Sequence, residues 1–370
     1  MRGGREGTTL TTMPDTTHNA TDLSDRLFAA ALGTFDVFAV YVGDRLSYYR
    51  ILCENGPLTT HELAELAGTE ERYTREWLEQ QAVSGLMYVA EMSDDGRSRK
   101  FALPPACAAV LTDELSLSYL APLARMIAAA GAKLSAVVNA HRNGGGVSWD
   151  EFGVDMRESQ ADMNRPSFVN LLAQQWFGAV PELAERLSQG ARVADIGCGY
   201  GWSAIGLAVG YDAITVDGFD LDEPSIKDAA AHAVEAGVAD RVRFRAIDAG
   251  DPSVDGDYDV VAAFECIHDM PDPVSTLATM GRIVTHDGIV VVMDEKVSEA
   301  FHPDAEEIEQ LMYGFSNFIC LPDGMAHLHS AGTGTVMRPD TLRKYAKEAG
   351  FSDIEILPIE TDMWRFYRLV

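Results

Sequence analysis

The sequence predicts an α/β protein in two unequal parts, a mainly helical region followed by a doubly wound parallel sheet. Three observations predict it. From Ala191 to Val370, short apolar strands alternate with helical segments, the signature of parallel strands joined by crossover helices. The first of these strands runs directly into three alternate glycines, Gly197, Gly199 and Gly201, with a helix immediately after them. Ahead of the sheet, residues 21–111 read as helices followed by a pair of short extended runs. A chain of 370 residues also suits two domains better than one.

Charge and cysteine usage narrow the setting. The chain carries 57 acidic against 29 basic residues, a formal net charge of −28. Such a charge repels phosphate backbones and anionic membranes, so neither nucleic acid nor a membrane is an expected partner. Five scattered cysteines (Cys53, Cys107, Cys198, Cys266, Cys320) form no Cys-x-x-Cys pair, and their number is odd. This is the usage of a reducing compartment, and a cytoplasmic location is expected. No uninterrupted apolar run approaches the roughly 20 residues of a membrane helix. Residues 1–20 are rich in Thr and Gly, lack an apolar signal core and read as a disordered leader.

Within 21–111, a helical pattern containing Leu46, Tyr49 and Ile51 stops at Asn55-Gly56-Pro57. Thr60 is expected to cap a helix over His61–Ala67 that Gly68 closes, and a second helix follows over Glu70–Ser84. Extended runs over Leu86–Glu91 and Lys100–Leu103 flank the turn Ser93-Asp94-Asp95-Gly96. Helix, helix, helix, hairpin is the order of a winged helix-turn-helix. Such a module binds DNA or packs against a partner, and charge separates the two. From Asp44 to Lys100 there are eleven acidic and seven basic residues. The helix that would enter a groove carries Glu70, Glu71, Glu76 and Glu79 against Arg72 and Arg75. A phosphate-lined groove calls for the opposite balance, so dimerisation is the expected role.

Residues 112–189 read as a helical linker region interrupted at Gly144-Gly145-Gly146, a flexible point beside a site. Trp176 and Phe177 are expected to face the same cavity. The sheet domain, 190–370, opens with the strand Arg192–Ile196. The helix Ser203–Val209 follows the glycines, which let the backbone turn tightly and approach a ligand. A second strand, Ile214–Phe219, ends in Asp220, placed to accept from ribose hydroxyls. A third, Val242–Ile247, ends in Asp248-Ala249. The fourth, Tyr258–Phe264, leads into Glu265-Cys-Ile-His268-Asp269, and after a helix around Val274–Val284 the turn at His286–Gly288 enters a fifth, Ile289–Met293.

A NAD-binding fingerprint would need glycine where Trp202 stands, and a phosphate loop would need Gly-Lys-Ser/Thr, which is absent. The ordered set Asp-x-Gly-x-Gly-x-Gly, then acids ending the second and third strands, resembles the class I S-adenosylmethionine-dependent methyltransferases. The resemblance implies a Rossmann-like seven-stranded methyltransferase sheet, here preceded by a mainly helical winged-helix domain. It also implies S-adenosylmethionine as cofactor and S-adenosylhomocysteine as product. Gly197, Gly199 and Gly201, with Cys198 among them, would pass beneath the methionine part, and Asp195 would fix the loop and approach the ammonium group. Asp220, followed by Leu221, would hold the ribose, with Asp222 and then Asp217 as alternatives. Asp248 and the backbone of Ala249 would meet the adenine, and the Phe264 carbonyl the ammonium.

The layout of winged helix, helical linker and sheet further resembles the small-molecule O-methyltransferases of secondary metabolism, which are homodimers through the N-terminal domain. In their His-Asp-Trp-Ser-Asp segment the histidine is the general base. Here Ile267-His268-Asp269-Met270-Pro-Asp272 matches it with methionine for tryptophan, making His268 the candidate base and Glu295 or Glu299 its orienting acid. An imidazole near pH 6.5 suits the role. The apolar stretch Glu307–Cys320 matches the lid over the acceptor in that family. His327-Leu-His329 and His302-Pro-Asp304 lack a third ligand by spacing, so no metal is expected. The expected function is methyl transfer to a small apolar or aromatic molecule, at a hydroxyl ahead of nitrogen or carbon. The competing readings are a ligand-sensing transcriptional regulator and an enzyme that uses the sulfonium without transferring methyl. The Asn/Asp-Pro-Pro-Tyr/Phe motif of nucleic-acid amino-methylating enzymes is absent after the fourth strand.

Overall fold

The structure is a computed structural model that describes residues 19–370. The leader expected over 1–20 lies outside these residues except at its end, where Asn19 and Ala20 begin a helix. Asn19 Oδ1 accepts from the Asp22 amide at 3.0 Å and caps α1, Ala20–Arg45. This 26-residue helix buries one side chain position, Gly43, and exposes Leu23, Leu27, Phe28, Leu32 and Phe35 by 52–67%. Its most apolar stretch of 18 residues has a mean hydropathy of 1.4, long and apolar enough to cross a bilayer. A search for uninterrupted apolar runs passes over it because Asp25, Arg26 and Asp36 break the run.

The winged part follows: α2 (Tyr48–Asn55), β1 (Leu58–Thr59), α3 (Thr60–Ala67), α4 (Glu71–Val83), β2 (Tyr88–Glu91) and β3 (Lys100–Ala102). The three strands pair antiparallel in the order β1-β3-β2. The cap of α3 is Thr59 rather than Thr60: Thr59 Oγ1 accepts from the Glu62 amide while the Glu62 carboxylate accepts from the Thr59 amide. Thr60 is buried and donates to Glu71. The basic side chains of the helix and wing are paired in place, Arg72 with Glu76, Arg75 with Glu71 and Arg99 with Glu79.

The linker region contains α5 (Pro105–Leu111), α6 (Ala121–Ala132), α7 (Leu134–Asn143), α8 (Trp149–Phe152) and α9 (Val154–Ser167). A π-helical stretch, Phe168–Trp176, and α10 (Pro181–Ser188) complete it. The glycine break is a fitted contact rather than a loose point. A Cβ on Gly146 would stand 1.8 Å from the Pro322 carbonyl oxygen, and the Val147 amide donates to that oxygen at 2.9 Å. Trp176 and Phe177 do not face a cavity either. Both are buried in the core, with Trp176 packed at 5.3 Å against the rings of Trp364 and Phe366.

The sheet domain runs β4 (Arg192–Ile196), α11 (Trp202–Gly210), β5 (Thr215–Asp220), α12 (Glu223–Glu235), β6 (Val242–Ala246), β7 (Tyr258–Phe264), α13 (Pro273–Ile283) and β8 (Val284–Glu295). It continues with α14 (Glu307–Phe315), a π-helical turn (Ser316–Cys320), α15 (Leu321–Met325), α16 (Pro339–Glu348), β9 (Ile354–Ile356) and β10 (Trp364–Leu369). The order is β6-β5-β4-β7-β8-β10-β9, parallel through β8, with β10 antiparallel to both neighbours. The fifth expected strand lies inside the longer β8, whose start is a register shift against β7. The chain leaves β4 for β5 on one side and returns to β7 on the other, so the switch point of the sheet lies at the carboxyl end of β4, where doubly wound sheets bind their ligands.

Helix α11 fits against the π-helical stretch only because Gly206 lacks a side chain: a Cβ there would meet the Phe168 carbonyl oxygen at 2.3 Å. Gly206→Ala is therefore predicted to lower stability by about 1–3 kcal/mol through overpacking. The expected result is a thermal midpoint several degrees lower; an unchanged or raised midpoint contradicts this packing.

Candidate active site at the switch point of the sheet

The turn from β4 into α11 takes all three of its glycines in the left-handed region, Gly197 at φ 69°, Gly199 at 49° and Gly201 at 79°. A Cβ on Gly197 would lie 2.6 Å from Cys266 Sγ and one on Gly201 2.5 Å from Phe244 Cζ, whereas Gly199 has open space beside it. The loop thus rests its outer glycines on the protein and presents the middle one to the crevice. Asp220 braces it: Oδ2 accepts from the Gly199 amide at 2.8 Å and Oδ1 from the Asp222 amide at 2.9 Å. Burial pushes the Asp220 carboxyl above its usual range, and those backbone donors oppose the rise.

Asp195 sits beneath the loop, fully buried. Oδ2 accepts from Ser203 Oγ at 2.5 Å, which ties β4 to the first turn of α11. Oδ1 is buried and has no partner, and burial raises this carboxyl to about 7. Cys198 is buried against Gly218, while Leu221 stands exposed at the rim. Asp248 is exposed and closes its own turn by accepting from the Gly250 amide at 2.8 Å, with Ala249 buried beside it. The Phe264 ring packs between Phe168 and Phe177.

The two alternative ribose acids are engaged elsewhere. Asp222 caps α12 and takes three hydrogen bonds from Arg157, from Nε to Oδ1 at 3.1 Å and to Oδ2 at 2.9 Å, and from Nη2 to Oδ1 at 2.8 Å. Asp217 accepts from the Tyr258 hydroxyl at 3.0 Å and pairs with Arg192, the first residues of β7 and β4, away from the carboxyl ends.

Beside this turn, β7 ends at Phe264 and is followed at once by Glu265, a non-glycine residue at φ 51°. Its carboxylate accepts from Asn164 Nδ2 and Trp364 Nε1, and burial pushes it up to about 7. His268 follows, 3% exposed. Its Nδ1 lies 2.9 Å from Asp294 Oδ1 and 3.2 Å from Glu295 Oε2, and its Nε2 lies 3.2 Å from Asp269 Oδ1. Burial by itself favours the neutral ring, but Asp269, Asp294 and Glu295 outweigh it and raise the imidazole well above its usual range. Glu295 thus contacts His268 as expected, while Glu299 is exposed and makes no such contact. Asp294, 1% exposed at the end of β8, is the nearer acid and was missed. Glu265, Asn164 and Arg157 were missed as well. The signal available for Asp294 was its place ending an apolar strand next to the histidine loop. The π-helical turn brings Cys320 to the same histidine, whereas His302, Asp304, His327 and His329 are exposed.

A family model described as a methyltransferase domain matches residues 168–356, just over half of the chain. The chain belongs to this methyltransferase family. Residues 36–113 match the Rv2258c-like winged helix-turn-helix domain. The chain is 33% identical over 150 residues to 27-O-demethylrifamycin SV methyltransferase of Amycolatopsis mediterranei, covering 40% of this chain and 55% of that one. It is 36% identical over 124 residues to the ubiquinone biosynthesis O-methyltransferase of Bordetella avium, covering 33% and 48%. It therefore spans about half the length of these curated relatives. Solved structures share the fold over nearly the whole length. The mitomycin 7-O-methyltransferase MmcR is matched with a TM-score of 0.69 at 20% identity, covering 94% of this chain and 98% of that one. Human N-acetylserotonin methyltransferase, solved in complex with SAM, is matched at 0.69 and 15% identity, covering 96% and 98%.

Asp195 gives the chain a measurable pH signature. Its carboxyl titrates near 7 when folded against a usual 3.8, so between those values the folded chain keeps a proton that the unfolded chain has lost. Stability from this group falls as pH rises through that window and is level above it. Asp195→Asn keeps an acceptor for Ser203 and cannot ionise. Urea midpoints measured against pH are predicted to lose that part of the slope in the variant; an unaltered slope removes Asp195 as its source.

Proposed function

We propose that this methyltransferase transfers a methyl group from S-adenosylmethionine to a hydroxyl of a small apolar or aromatic molecule, leaving S-adenosylhomocysteine. The observation that carries the reading is the glycine turn at the carboxyl ends of β4 and β5, with the Asp220 carboxylate bound to its Gly199 amide and the unpartnered Asp195 oxygen beneath it. These residues fit the cofactor: a zwitterionic amino acid joined to a nucleoside needs a close backbone floor, an anion for its ammonium and an acceptor for its ribose. Gly197, Gly199 and Gly201 make the floor. Asp195 Oδ1 and the Phe264 carbonyl take the ammonium, Asp220 and the rim at Leu221 the ribose, and Asp248 with Ala249 the adenine.

The cofactor supplies a sulfonium methyl group that an acceptor oxygen displaces in line. The chain's own contribution is alignment together with disposal of the acceptor proton. The O–H bond breaks as the O–CH3 bond forms, and the proton passes to the acidic cage built on His268, through Asp269, its most exposed member. Asp294 and Glu295 hold the ring in place from behind. The segment Glu307–Cys320 lines the acceptor side, with Tyr313 and Phe318 each more than a third exposed and Met312 and Ile319 anchoring it. Two O-methyltransferases among the relatives favour oxygen as the acceptor atom.

The apolar stripe of α1 fits a second copy of the chain. Leu23, Leu27, Phe28, Leu32 and Phe35 fall at helical spacing on a helix whose own fold leaves them uncovered. Replacing Phe28 and Phe35 together by Asp is predicted to halve the mass measured by light scattering; an unchanged mass would remove α1 from the dimer contact.

Incubation with S-adenosylmethionine and a panel of phenols, followed by mass spectrometry, tests the reaction. One methylated product per S-adenosylhomocysteine is expected. His268→Ala is expected to lose about 10²–10⁴-fold in kcat while its affinity for S-adenosylhomocysteine stays as in the parent. S-adenosylhomocysteine formed without a methylated product would contradict transfer, and full turnover by His268→Ala would contradict the proton route.

A further inference from the structure

We propose that the open edge of β6 is a docking site for an extended segment of a partner protein, one in which apolar and acidic residues alternate, added to the sheet as a further strand. The site stands apart from the glycine turn and does not depend on the reading of that turn as a cofactor site.

The backbone comes first. β6 (Val242–Ala246) ends the order of its sheet, so one of its sides has no neighbouring strand among the described residues. Its other side bonds β5: the Val216 amide donates to the Arg241 carbonyl at 2.9 Å, and the Ile247 amide to the Asp220 carbonyl at 2.8 Å. Successive residues of a parallel strand alternate in the side to which they turn their polar groups. Arg243 and Arg245 share the phase of Arg241 and Ile247 and so bond β5, while Phe244 and Ala246 turn amide and carbonyl outward. Val242 turns its carbonyl the same way, its amide being taken by the Val238 carbonyl at 3.0 Å. An added strand pairs with such a row of free donors and acceptors.

The side chains then say what kind of strand fits. Val242 and Phe244 lie on one face of the edge, Arg243 and Arg245 on the other. A groove of about 750 Å³ takes in both faces. On the first face α12 supplies an apolar wall of Ala230, Ala233 and Val234, with Val234 left 67% exposed. On the second, Arg243 and Arg245 are exposed and form no ion pair among the described residues. Asp217, in register with Arg243 on β5, is already held by the Tyr258 hydroxyl and Arg192. Arg245 lies 5.4 Å from the centre of the Phe219 ring, a contact that occupies none of its N–H groups. No helix covers these arginines from the following connection. β4, β5, β7 and β8 are each followed by a helix, but residues 247–257, between β6 and β7, form only turns.

Charge fixes the partner. The groove is lined by three arginines (Arg192, Arg243, Arg245) against two aspartates (Asp217, Asp255), in a chain with 57 acidic and 29 basic residues. A strand laid beside β6 sets every second side chain next to Arg243 and Arg245, where carboxylates are favoured. The side chains between them fall on the apolar wall of α12. A second copy pairing through the same edge would set arginine against arginine, and like charges opposite one another destabilise a ladder. The edge therefore refuses its own kind and admits an acidic strand.

Fluorescence anisotropy with the full chain and a fluorescein-labelled heptapeptide, Val-Asp-Val-Glu-Val-Asp-Val, tests the proposal. This peptide is expected to bind about tenfold more tightly than one with lysine at the three acidic positions. The same advantage is expected over Val-Val-Val-Val-Asp-Glu-Asp, which has the same composition without alternation. N-methylation of one set of alternate peptide amides is expected to abolish binding, and of the other set to spare it. Arg243→Glu with Arg245→Glu is expected to lose about tenfold in affinity, whereas Arg243→Lys with Arg245→Lys keeps the charge and most of the binding. Thermal midpoints of both double variants, expected to match the parent, exclude misfolding. No binding by the alternating peptide, equal binding by the unalternated one, or full binding by the glutamate variant overturns the proposal.

Discussion

Between Ile196 and Trp202 the chain has five residues in which to leave a buried strand and start a buried helix, and the rest of the site depends on that turn. Two of its glycines press against side chains that a Cβ would strike, and all three take a backbone conformation that other residues adopt at a cost. The turn is held from below by Asp195 through Ser203 and from the side by Asp220 through the Gly199 amide. The carboxylates proposed to hold the cofactor are thus the same ones that shape the turn beneath it.

The crevice is lined with acid whose charges are only partly offset from within. Asp195, Asp294 and Glu295 are buried and Glu265 half-buried; Asp294 and Glu295 share the one imidazole of His268, while Asp195 Oδ1 has no partner. A chain with a net charge of −28 that keeps such groups beside a crevice is suited to cationic ligands. A sulfonium with an ammonium group, the cofactor proposed above, answers that demand. Helix α9 ties the arrangement to the helical region. Arg157 holds Asp222, Asn164 holds Glu265, and Arg165 stacks over Trp202 at 4.3 Å. The acceptor side and the cofactor side therefore share one helix as a wall.

Local and ordered signals were legible in the sequence. The strand Tyr258–Phe264 and the glycine turn stand where spacing put them, because a β-strand entering a tight turn announces itself through alternating burial and glycine. Contacts across the fold were not legible. Trp176 looked free to line a cavity because nothing in its neighbourhood reveals Trp364 and Phe366, nearly 190 residues later. Asp222 looked as able as Asp220 to hold a ribose until Arg157 took it. That Asp294 and Glu295 both reach His268 depends on the register of β8 beside β7, and Cys320 reaches that histidine only through a π-helical turn. Helix α1 escaped because its apolar stripe from Leu23 to Phe35 faces outward with charges between, outside the chain's own core.

Everything rests on a nucleoside held at the carboxyl ends of β4 and β5. Titration calorimetry of S-adenosylhomocysteine into the parent chain, Asp220→Ala and Asp217→Ala tests it most directly. Asp220 loses hydrogen bonds to a charged acceptor, so its variant should bind about 10–100-fold more weakly, while Asp217→Ala, altered on the same strand but away from the crevice, should bind as the parent does. No heat of binding in the parent chain, or equal weakening in the two variants, would contradict the account.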